Sequence, residues 1–280
     1  SIIKVALEDF HPLSFNAIRF TLASIVLALA ARTRAGRRKP DRKDLVRLMA
    51  LGVLANCVYQ LFFIHGINLT RAGNAALILG ATPVFTTLLS AWRGHERLGR
   101  RAILGVAASF LGVSLIVLGS HRTISFAGTF LGDLLIFSCT LLWPIYSVGL
   151  RPLSVKYGSM ECTRITMIAG TIPLVMIAIP SLLSQSWDRV HVAAWGGLVF
   201  SSAGAIAVCY SIWNYGVRRL GNTRTAAYSN ITPVISLLVA WVVLSERPLP
   251  GQVVGMGIIF AGIYLTRLDQ MTELPTGTGV

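Results

Sequence analysis

Charged residues are scarce in this sequence, and acidic residues are the scarcest. Of the 280 residues, 13% are charged and 54% are hydrophobic, and only 11 are Asp or Glu. Seven segments contain no Asp, Glu, Lys, Arg or His: residues 72–92, 102–119, 134–150, 165–183, 192–217, 225–245 and 248–266. Each has about the length that crosses a bilayer as a helix. The composition therefore excludes an ordinary soluble domain and indicates an all-α integral membrane protein.

Cysteine pairs and metal-binding clusters are also lacking. The four cysteines, Cys57, Cys139, Cys162 and Cys209, are far apart in the chain, and no two form a CxxC pair. Isolated cysteines in apolar segments act as small hydrophobic side chains. Paired acids or a His–carboxylate cluster at one membrane face are missing too, so an integral membrane enzyme is a minor alternative. The sequence predicts no metal site and no cofactor.

Two further hydrophobic segments each contain a single interrupting residue. Residues 13–31 contain Arg19, and residues 48–70 contain His65. Residues 1–8 resemble the end of another span, which leads into a turn ending at Pro12. The sequence therefore predicts ten membrane spans, with the beginning of the first absent.

The net charge of +14 raises the question of nucleic-acid binding, but the placement of the charge argues against it. Alternate loops, at 32–43, 93–101, 151–156, 218–224 and after 266, hold seventeen Lys or Arg, whereas the opposite loops hold four. Such a bias marks the first set of loops as cytoplasmic. The predicted partner of the basic loops is the lipid bilayer, with no nucleic acid, and both termini are cytoplasmic.

A repeat recurs in the chain at an offset of 150 residues. Residues 66–115 match residues 216–265 at 12 of 50 positions, including a shared Thr-Pro-Val, a shared Glu-Arg and two shared glycines. Each copy contains five spans, and an odd number inverts the second copy in the membrane. We predict two inverted five-helix repeats, residues 1–120 and 127–270, and a disordered tail at 271–280. Ten spans can enclose a cavity in a monomer.

Pro83 and Pro233 occupy equivalent positions near the middle of their spans. A proline inside a helix removes one hydrogen bond and clashes with the carbonyl four residues earlier. In hydrocarbon such a carbonyl must face protein or a water-filled cavity. We predict a pair of hinges at the two prolines, beside Thr82 and Thr232; the alternative is a pair of packing kinks.

Polar and aromatic side chains at membrane depth are the candidate substrate ligands. Such side chains must point toward other helices or a cavity, and aromatic walls with a few amides and hydroxyls suit a small, partly apolar substrate. The alternative is hydrogen bonding between helices. The candidate substrate-binding residues are Asn56, Tyr59, Gln60, Thr82, Trp143, Tyr146, Tyr210, Asn214, Tyr228 and Asn230.

Charged residues inside the spans define the remaining alternatives. Arg19 and Arg164 lie within a turn or two of their span ends, where arginines usually extend toward headgroups. If they bind an anion instead, the chain would carry anions or nucleotide sugars. Among the acids, only Asp133 lies inside a predicted span. A proton-driven exporter of cations generally needs a central acid, so cationic drugs are disfavoured, and Asp133 or His65 would carry any driving proton.

The segment from Lys4 to Phe20 and the twice-used Thr-Pro-Val … Glu-Arg … Gly … Gly pattern resemble the EamA family of the drug/metabolite transporter superfamily. The resemblance covers nearly the whole chain. It implies ten helices in two inverted repeats around a central cavity, alternating access, and a bacterial inner-membrane location. The acid-poor, aromatic spans are similar to those of the aromatic amino-acid exporter branch. The expected function is export of neutral, hydrophobic or aromatic amino acids, which would be small-molecule substrates.

Overall fold

The computed structural model describes residues 9–32, 40–96, 98–119, 128–244 and 248–271, and these residues are predominantly helical. The first half contains α1 (Pro12–Arg32), α2 (Arg42–Val53), α3 (Tyr59–Leu69), α4 (Ala72–Gly80), α5 (Thr82–Trp92) and α6 (Arg100–Leu118). The second half contains α7 (Phe130–Tyr157), α8 (Ser159–Leu183), α9 (Val192–Phe200), α10 (Cys209–Leu220), α11 (Asn222–Ser229), α12 (Ile231–Leu244) and α13 (Pro250–Met271).

Eight helical segments within the described residues are long and apolar enough to cross a membrane. They correspond to the predicted second to eighth spans and the tenth. The predicted first span lies outside the described residues, as do Arg97, Glu246, Arg247 and residues 272–280 of the predicted tail. The predicted ninth span divides into α11 and α12, of eight and 14 residues, and each is too short to cross a bilayer alone.

Four of the predicted spans contain an interruption in their helices, and the interruptions fall at repeat-related places. The fourth span turns at Ala81 and the ninth at Asn230, just before the paired prolines. In the third span a π-helical turn, Leu54–Val58, joins α2 to α3. The eighth span has the π-helical segment Ser201–Val208 between α9 and α10. Such segments often occur near functional sites.

The chain folds as two compact units, and each takes residues from both halves of the sequence. Unit 1 comprises residues 1–64 and 149–219, and unit 2 comprises residues 65–148 and 220–280. The predicted boundaries at 120 and 127 therefore mark the sequence repeat and not the edges of these compact units.

The core of unit 1 forms where α1, the third span, α8 and the second π-helical segment meet. Direct backbone approach supports this packing, since a Cβ on Gly170 would lie 2.2 Å from the Gly52 carbonyl oxygen. The Ser24 and Thr171 hydroxyls add a hydrogen bond of 2.9 Å between α1 and α8. The buried core side chains are Phe20, Ala23, Leu27, Cys57, Met167, Leu174, Ile206 and Ala207.

The core of unit 2 forms around an antiparallel pair, α6 and α13. Gly105 faces Gly262, and Gly112 faces Gly255, so closely that an added Cβ would lie 2.4 to 2.7 Å from the opposite carbonyl oxygen. Small residues allow this approach of two membrane helices. The buried apolar side chains beside it are Val113, Ile116, Val117, Val234, Ile259 and Ile263.

Candidate functional site

The predicted substrate ligands divide equally between the two compact units. Unit 1 holds Asn56, Tyr59, Gln60, Tyr210 and Asn214, and unit 2 holds Thr82, Trp143, Tyr146, Tyr228 and Asn230. Each group is best understood from the contacts inside its own unit. Their role in substrate binding stays a prediction.

Asn56 and Asn214 both reach α8 from neighbouring helices. The Asn56 amide donates to the Thr166 carbonyl at 3.0 Å, and the Asn214 amide donates to the Thr163 hydroxyl at 2.7 Å. Both asparagines are fully buried. Hydrogen bonding between helices therefore accounts for these amide donors, although the buried Asn56 Oδ1 has no hydrogen-bond partner in the described part of the chain.

Gln60, Tyr59 and Tyr210 are only partly buried, and they follow the π-helical interruptions of the third and eighth spans. The Gln60 Oε1 accepts a hydrogen bond from Asn16 Nδ2 on α1 at 3.3 Å. The Tyr59 ring stacks on Phe63 with centroids 6.0 Å apart. Tyr210 packs against the core of unit 1. These three side chains retain surface for a ligand.

In unit 2 the aromatic candidates have unequal surroundings. The rings of Trp143 and Tyr146 lie 5.4 Å apart, and Tyr146 is completely buried. Tyr228, by contrast, is exposed. Tyr146 therefore acts as part of the core in this conformation, whereas Trp143 and Tyr228 keep accessible surface.

The two proline breaks differ in how their freed carbonyls are satisfied. Pro83 cannot donate to the Leu79 carbonyl, and the Thr82 hydroxyl donates to that oxygen instead, at 2.6 Å. Thr232, the equivalent threonine before Pro233, makes no such bond within the described residues. The Thr82 side chain therefore satisfies the carbonyl freed at the first break, whereas Thr232 does not do so at the second, and residues from both breaks line a cavity.

A cavity of about 440 Å³ lies within unit 2 at the second break. Its lining contains amide and hydroxyl groups but no acidic or basic side chain. Asn230 is 4% exposed, and its Nδ2 is buried without a hydrogen-bond partner among the described residues. The lining residues are Ala76, Leu79, Gly80, Val113, Ile116, Val117, Ser229, Asn230, Thr232, Pro233, Ser236, Leu237 and Gln252.

The chemistry of this cavity suits a small molecule with both apolar and hydrogen-bonding parts. A buried amide donor without a partner is destabilising by about 1–3 kcal/mol, so a ligand acceptor atom at Asn230 would be favoured. The Gln252 Oε1 is already used, since it accepts a hydrogen bond of 2.9 Å from the Leu249 amide. The Ser229 hydroxyl is used as well, since it donates to the Ala226 carbonyl at 2.6 Å. Asn230 and the hydroxyls of Thr232 and Ser236 are thus the polar groups best placed to contact a ligand.

Arg19 and Arg164 have different electrostatic surroundings. Arg164 forms a bidentate pair with Glu161 on the same helix, with Nε–Oε2 at 3.0 Å. The Arg19 guanidinium has no carboxylate partner among the described residues and lies over the Phe15 ring at 5.3 Å. Of these two arginines, Arg19 alone retains an uncompensated charge among the described residues.

Asp133, the acid predicted to lie inside a span, is held in a fixed network. Its carboxylate accepts hydrogen bonds from Thr129 at 2.7 Å, from Asn74 at 3.1 Å and from Thr70. These contacts join the start of α7 to Thr70, which lies between α3 and α4, and to Asn74 in the first turn of α4. Asp133 thus has a structural role in this conformation, because it holds these segments together. His65, the other residue considered as a proton carrier, is exposed.

Three structural features near the candidate residues were not predicted from the sequence. The π-helical turns leave no simple periodic signal, because the flanking residues remain apolar. Asn16 lies near Arg19, the residue considered above as an anion ligand. The spacing of three residues on one helix could have indicated that the two side chains are neighbours. Glu96, the acid of the repeated Glu-Arg pair, binds the start of α11 through the backbone amides of Asn222 and Thr223.

Known proteins with similar sequences are transporters. An uncharacterised transporter, YyaM, of Bacillus subtilis is 27% identical, over 94% of this chain and 87% of that protein. A probable terminal-alkyne amino-acid exporter of Streptantibioticus cattleyicolor is 29% identical, over 94% of this chain and 86% of that protein. One solved crystal structure has the same fold, with a TM-score of 0.82 at 19% identity, over 97% of this chain and 93% of that chain.

The family model of the EamA-like transporter family matches residues 1–118 and 130–268. These two matches cover most of the chain, and they agree with the apolar helices described above. The protein is a multi-pass membrane protein, and it belongs to the EamA-like transporter family of the drug/metabolite transporter superfamily.

Proposed function

We propose that this transporter exports neutral hydrophobic or aromatic amino acids and related metabolites by alternating access. The observation that carries the proposal is the unit 2 cavity, which combines an apolar wall with the unpartnered amide of Asn230. A cavity without carboxylates gives a cationic drug no counter-charge, whereas a neutral, partly apolar molecule needs none. The Streptantibioticus relative, a probable terminal-alkyne amino-acid exporter, supports the same substrate class.

Contacts between α6 and α13 support the inverted repeat. The offset of 150 carries Gly105 onto Gly255 and Gly112 onto Gly262. Exchanging the copies therefore converts the Gly105–Gly262 contact into the Gly112–Gly255 contact, and both contacts are present. A contact set that is unchanged by exchange of the partners is the signature of a two-fold relation. For two antiparallel membrane helices, that axis lies in the membrane plane.

Contacts between loops support the proposed orientation. Lys156 binds Asp41 at 2.9 Å, which joins two loops assigned to the cytoplasm. Glu96 and Thr223 join two more cytoplasmic loops. On the other side, both assigned outer segments meet where His191 donates its backbone N–H to Asp9 at 3.0 Å. Each pair connects residues that the positive-inside rule assigns to the same side.

The proline breaks supply a physical basis for alternating access. At both Ala81 and Asn230 the span is interrupted between two short helices, so each end can tilt without breaking a continuous hydrogen-bonded ladder. Pro83 and Pro233 fix the start of the second helix in each case. In our proposal these breaks are the hinges, and the cavity beside Pro233 changes shape as the hinge bends.

Flux through purified protein in liposomes tests this function. The panel contains neutral amino acids, nucleotide sugars and cationic dyes, and we expect flux of phenylalanine or methionine. Replacing Asn230 by Ala removes the unpartnered donor and should lower uptake roughly 3- to 10-fold, the value of one neutral hydrogen bond. Asn68→Ala is the matched control, because Asn68 is an exposed asparagine of the same unit. Flux of dyes or nucleotide sugars without amino-acid flux would contradict the proposal.

A further inference from the structure

Arg19 is an uncompensated cation inside a membrane-spanning helix. It lies in α1, about seven residues from the start, which places it roughly 10 Å along the helix. Among the described residues it forms no ion pair and no hydrogen bond. The cost of an unpaired charge at this depth makes such residues functional candidates by default.

The position of the guanidinium argues against a side chain that merely extends to the headgroups. The Nε atom is buried, and the Cζ atom lies 5.3 Å from the Phe15 ring centroid on the same helix. A snorkelling arginine would place its whole head group in water. The terminal nitrogens of Arg19 keep accessible surface, since they are not buried and have no hydrogen bond. The cation–π contact thus fixes the head group while leaving its outer edge open.

Two amides and a phenol lie near Arg19 within unit 1. Asn16, one turn before Arg19, donates to Gln60 Oε1 at 3.3 Å. The Tyr210 phenol is close enough to interact electrostatically with the guanidinium. The cluster therefore combines one cation with two amides and a phenol, and Gln60 and Tyr210 are both among the residues predicted to bind substrate.

The other basic residues with described ion pairs show why Arg19 is different. Arg164 is paired with Glu161, and Lys156 is paired with Asp41 and Asp44. Those cations are neutralised by acids of the chain itself. At Arg19 the described residues provide hydrogen-bond donors and an aromatic ring but no acid, so in our inference the anion is supplied by the substrate.

We infer that Arg19 binds the carboxylate of the transported amino acid, with Asn16, Gln60 and Tyr210 around it. The planar fork of a guanidinium matches a carboxylate through two parallel hydrogen bonds. This inference rests on the proposed function, because it assumes a substrate with a free carboxylate. In this inference Arg19 binds the carboxylate of a neutral zwitterion, so the substrate needs neither a phosphate nor a nucleotide group.

Substrate analogues and variants together test the inference in proteoliposomes. The probes are phenylalanine, its amide, which lacks the carboxylate, and the corresponding amino alcohol. The wild type should prefer phenylalanine over the amide by roughly 10- to 100-fold, the value of a charged hydrogen-bonded pair. Arg19→Gln should abolish this preference, and Arg19→Lys should retain part of it, since lysine keeps the charge without the fork. Arg42→Gln, an exposed arginine of the same unit, should behave as the wild type.

The outcomes separate the inference from the proposed function. A wild type that moves no neutral amino acid would overturn both. A wild type that moves phenylalanine and its amide equally well would overturn only the carboxylate site, as would an Arg19→Gln protein that keeps the full preference. If Arg19→Gln fails to fold, the wild-type analogue series and Arg19→Lys still decide the question.

Discussion

Glu96 anchors the short helix that leads to the cavity, and its removal gives a sharp test of the structure. Its carboxylate accepts a hydrogen bond from the Thr223 backbone amide at 3.1 Å, and further ones from the Asn222 amide and the Thr223 hydroxyl. Helix α11 has only eight residues, and its N-cap, Gly221, has no side chain to cap it. Gly221 has a φ of 91°, which other residues rarely adopt. Glu96 therefore caps a helix that cannot cap itself.

The expected effect of Glu96→Ala follows from these contacts. A lost N-cap costs about 1 kcal/mol, and a lost anion at a helix N-terminus costs about 0.3–1 kcal/mol, more where the group is partly buried. The sum is roughly 2 kcal/mol, which lowers the melting temperature by about 4–8 °C. Transport should fall as well, because α11 ends at Ser229, on the wall of the cavity.

Thermal unfolding in detergent measures the first effect, and proteoliposome flux measures the second. Glu96→Gln keeps one acceptor oxygen but loses the charge, so its melting temperature should fall by about half as much. Asp188→Ala is a control for removal of an exposed acid and should change the melting temperature by under about 1 °C. A Glu96→Ala protein that melts with the wild type would refute the capping role.

Two further predictions concern packing and pH. Gly112→Ala and Gly255→Ala each place a Cβ within 2.6 to 2.7 Å of the partner's carbonyl oxygen, so each should destabilise by about 1–3 kcal/mol; a melting temperature reduced in one variant alone would contradict the two-fold contact. The backbone N–H of His191, followed by its ring, lowers the pKa of Asp9 below the usual aspartate value. Because the folded-state pKa is depressed, this stabilisation is present above about pH 3.9 and is lost as the pH falls through the lowered pKa. The difference in melting temperature between wild type and Asp9→Asn should therefore narrow on acidification below about pH 4, and a constant difference would argue against the contact.

The membrane class and family of this chain could be predicted from its sequence because both depend on features repeated along it. Charge-free segments of 17 residues or more report burial in lipid directly, and the family pattern occurs twice. The break at Pro83 was also predictable, since proline lacks the donor that a continuous helix needs. The sequence does not reveal how each freed carbonyl is satisfied. The Thr82 hydroxyl donates to the carbonyl freed by Pro83, while the equivalent Thr232 makes no such bond among the described residues, although both are threonines.

Individual site residues were harder to predict, for a physical reason. A buried asparagine in a membrane helix can bind either a ligand or a neighbouring helix, and both satisfy the same amide. Asn56 and Asn214 turn out to donate to α8, whereas Asn230 retains a buried donor with no partner. Whether an asparagine binds a neighbouring helix or stays available for a ligand depends on its distance to a helix that is remote in sequence. Arg19 and Arg164 differ in how much the sequence reveals: the spacing of three already allowed Glu161 to neutralise Arg164 on the same helix, whereas the surroundings of Arg19 depend on helices remote in sequence.

The scarcity of acids has a consequence for how a substrate amino group is recognised. The carboxylates of Asp44, Glu96, Asp133 and Glu161 are all engaged by donors of the protein itself, at the ends of helices. Releasing any of them for a substrate ammonium would leave buried donors unpaired, at a cost of about 1–3 kcal/mol each. Among the described residues inside the spans, neutral acceptors such as amide, hydroxyl and carbonyl oxygens are then left for the ammonium, and these bind a cation less strongly than a carboxylate does. In our proposal, a site with a fixed arginine and neutral acceptors favours a zwitterion over a molecule with net positive charge, because the zwitterion brings the anion that Arg19 lacks.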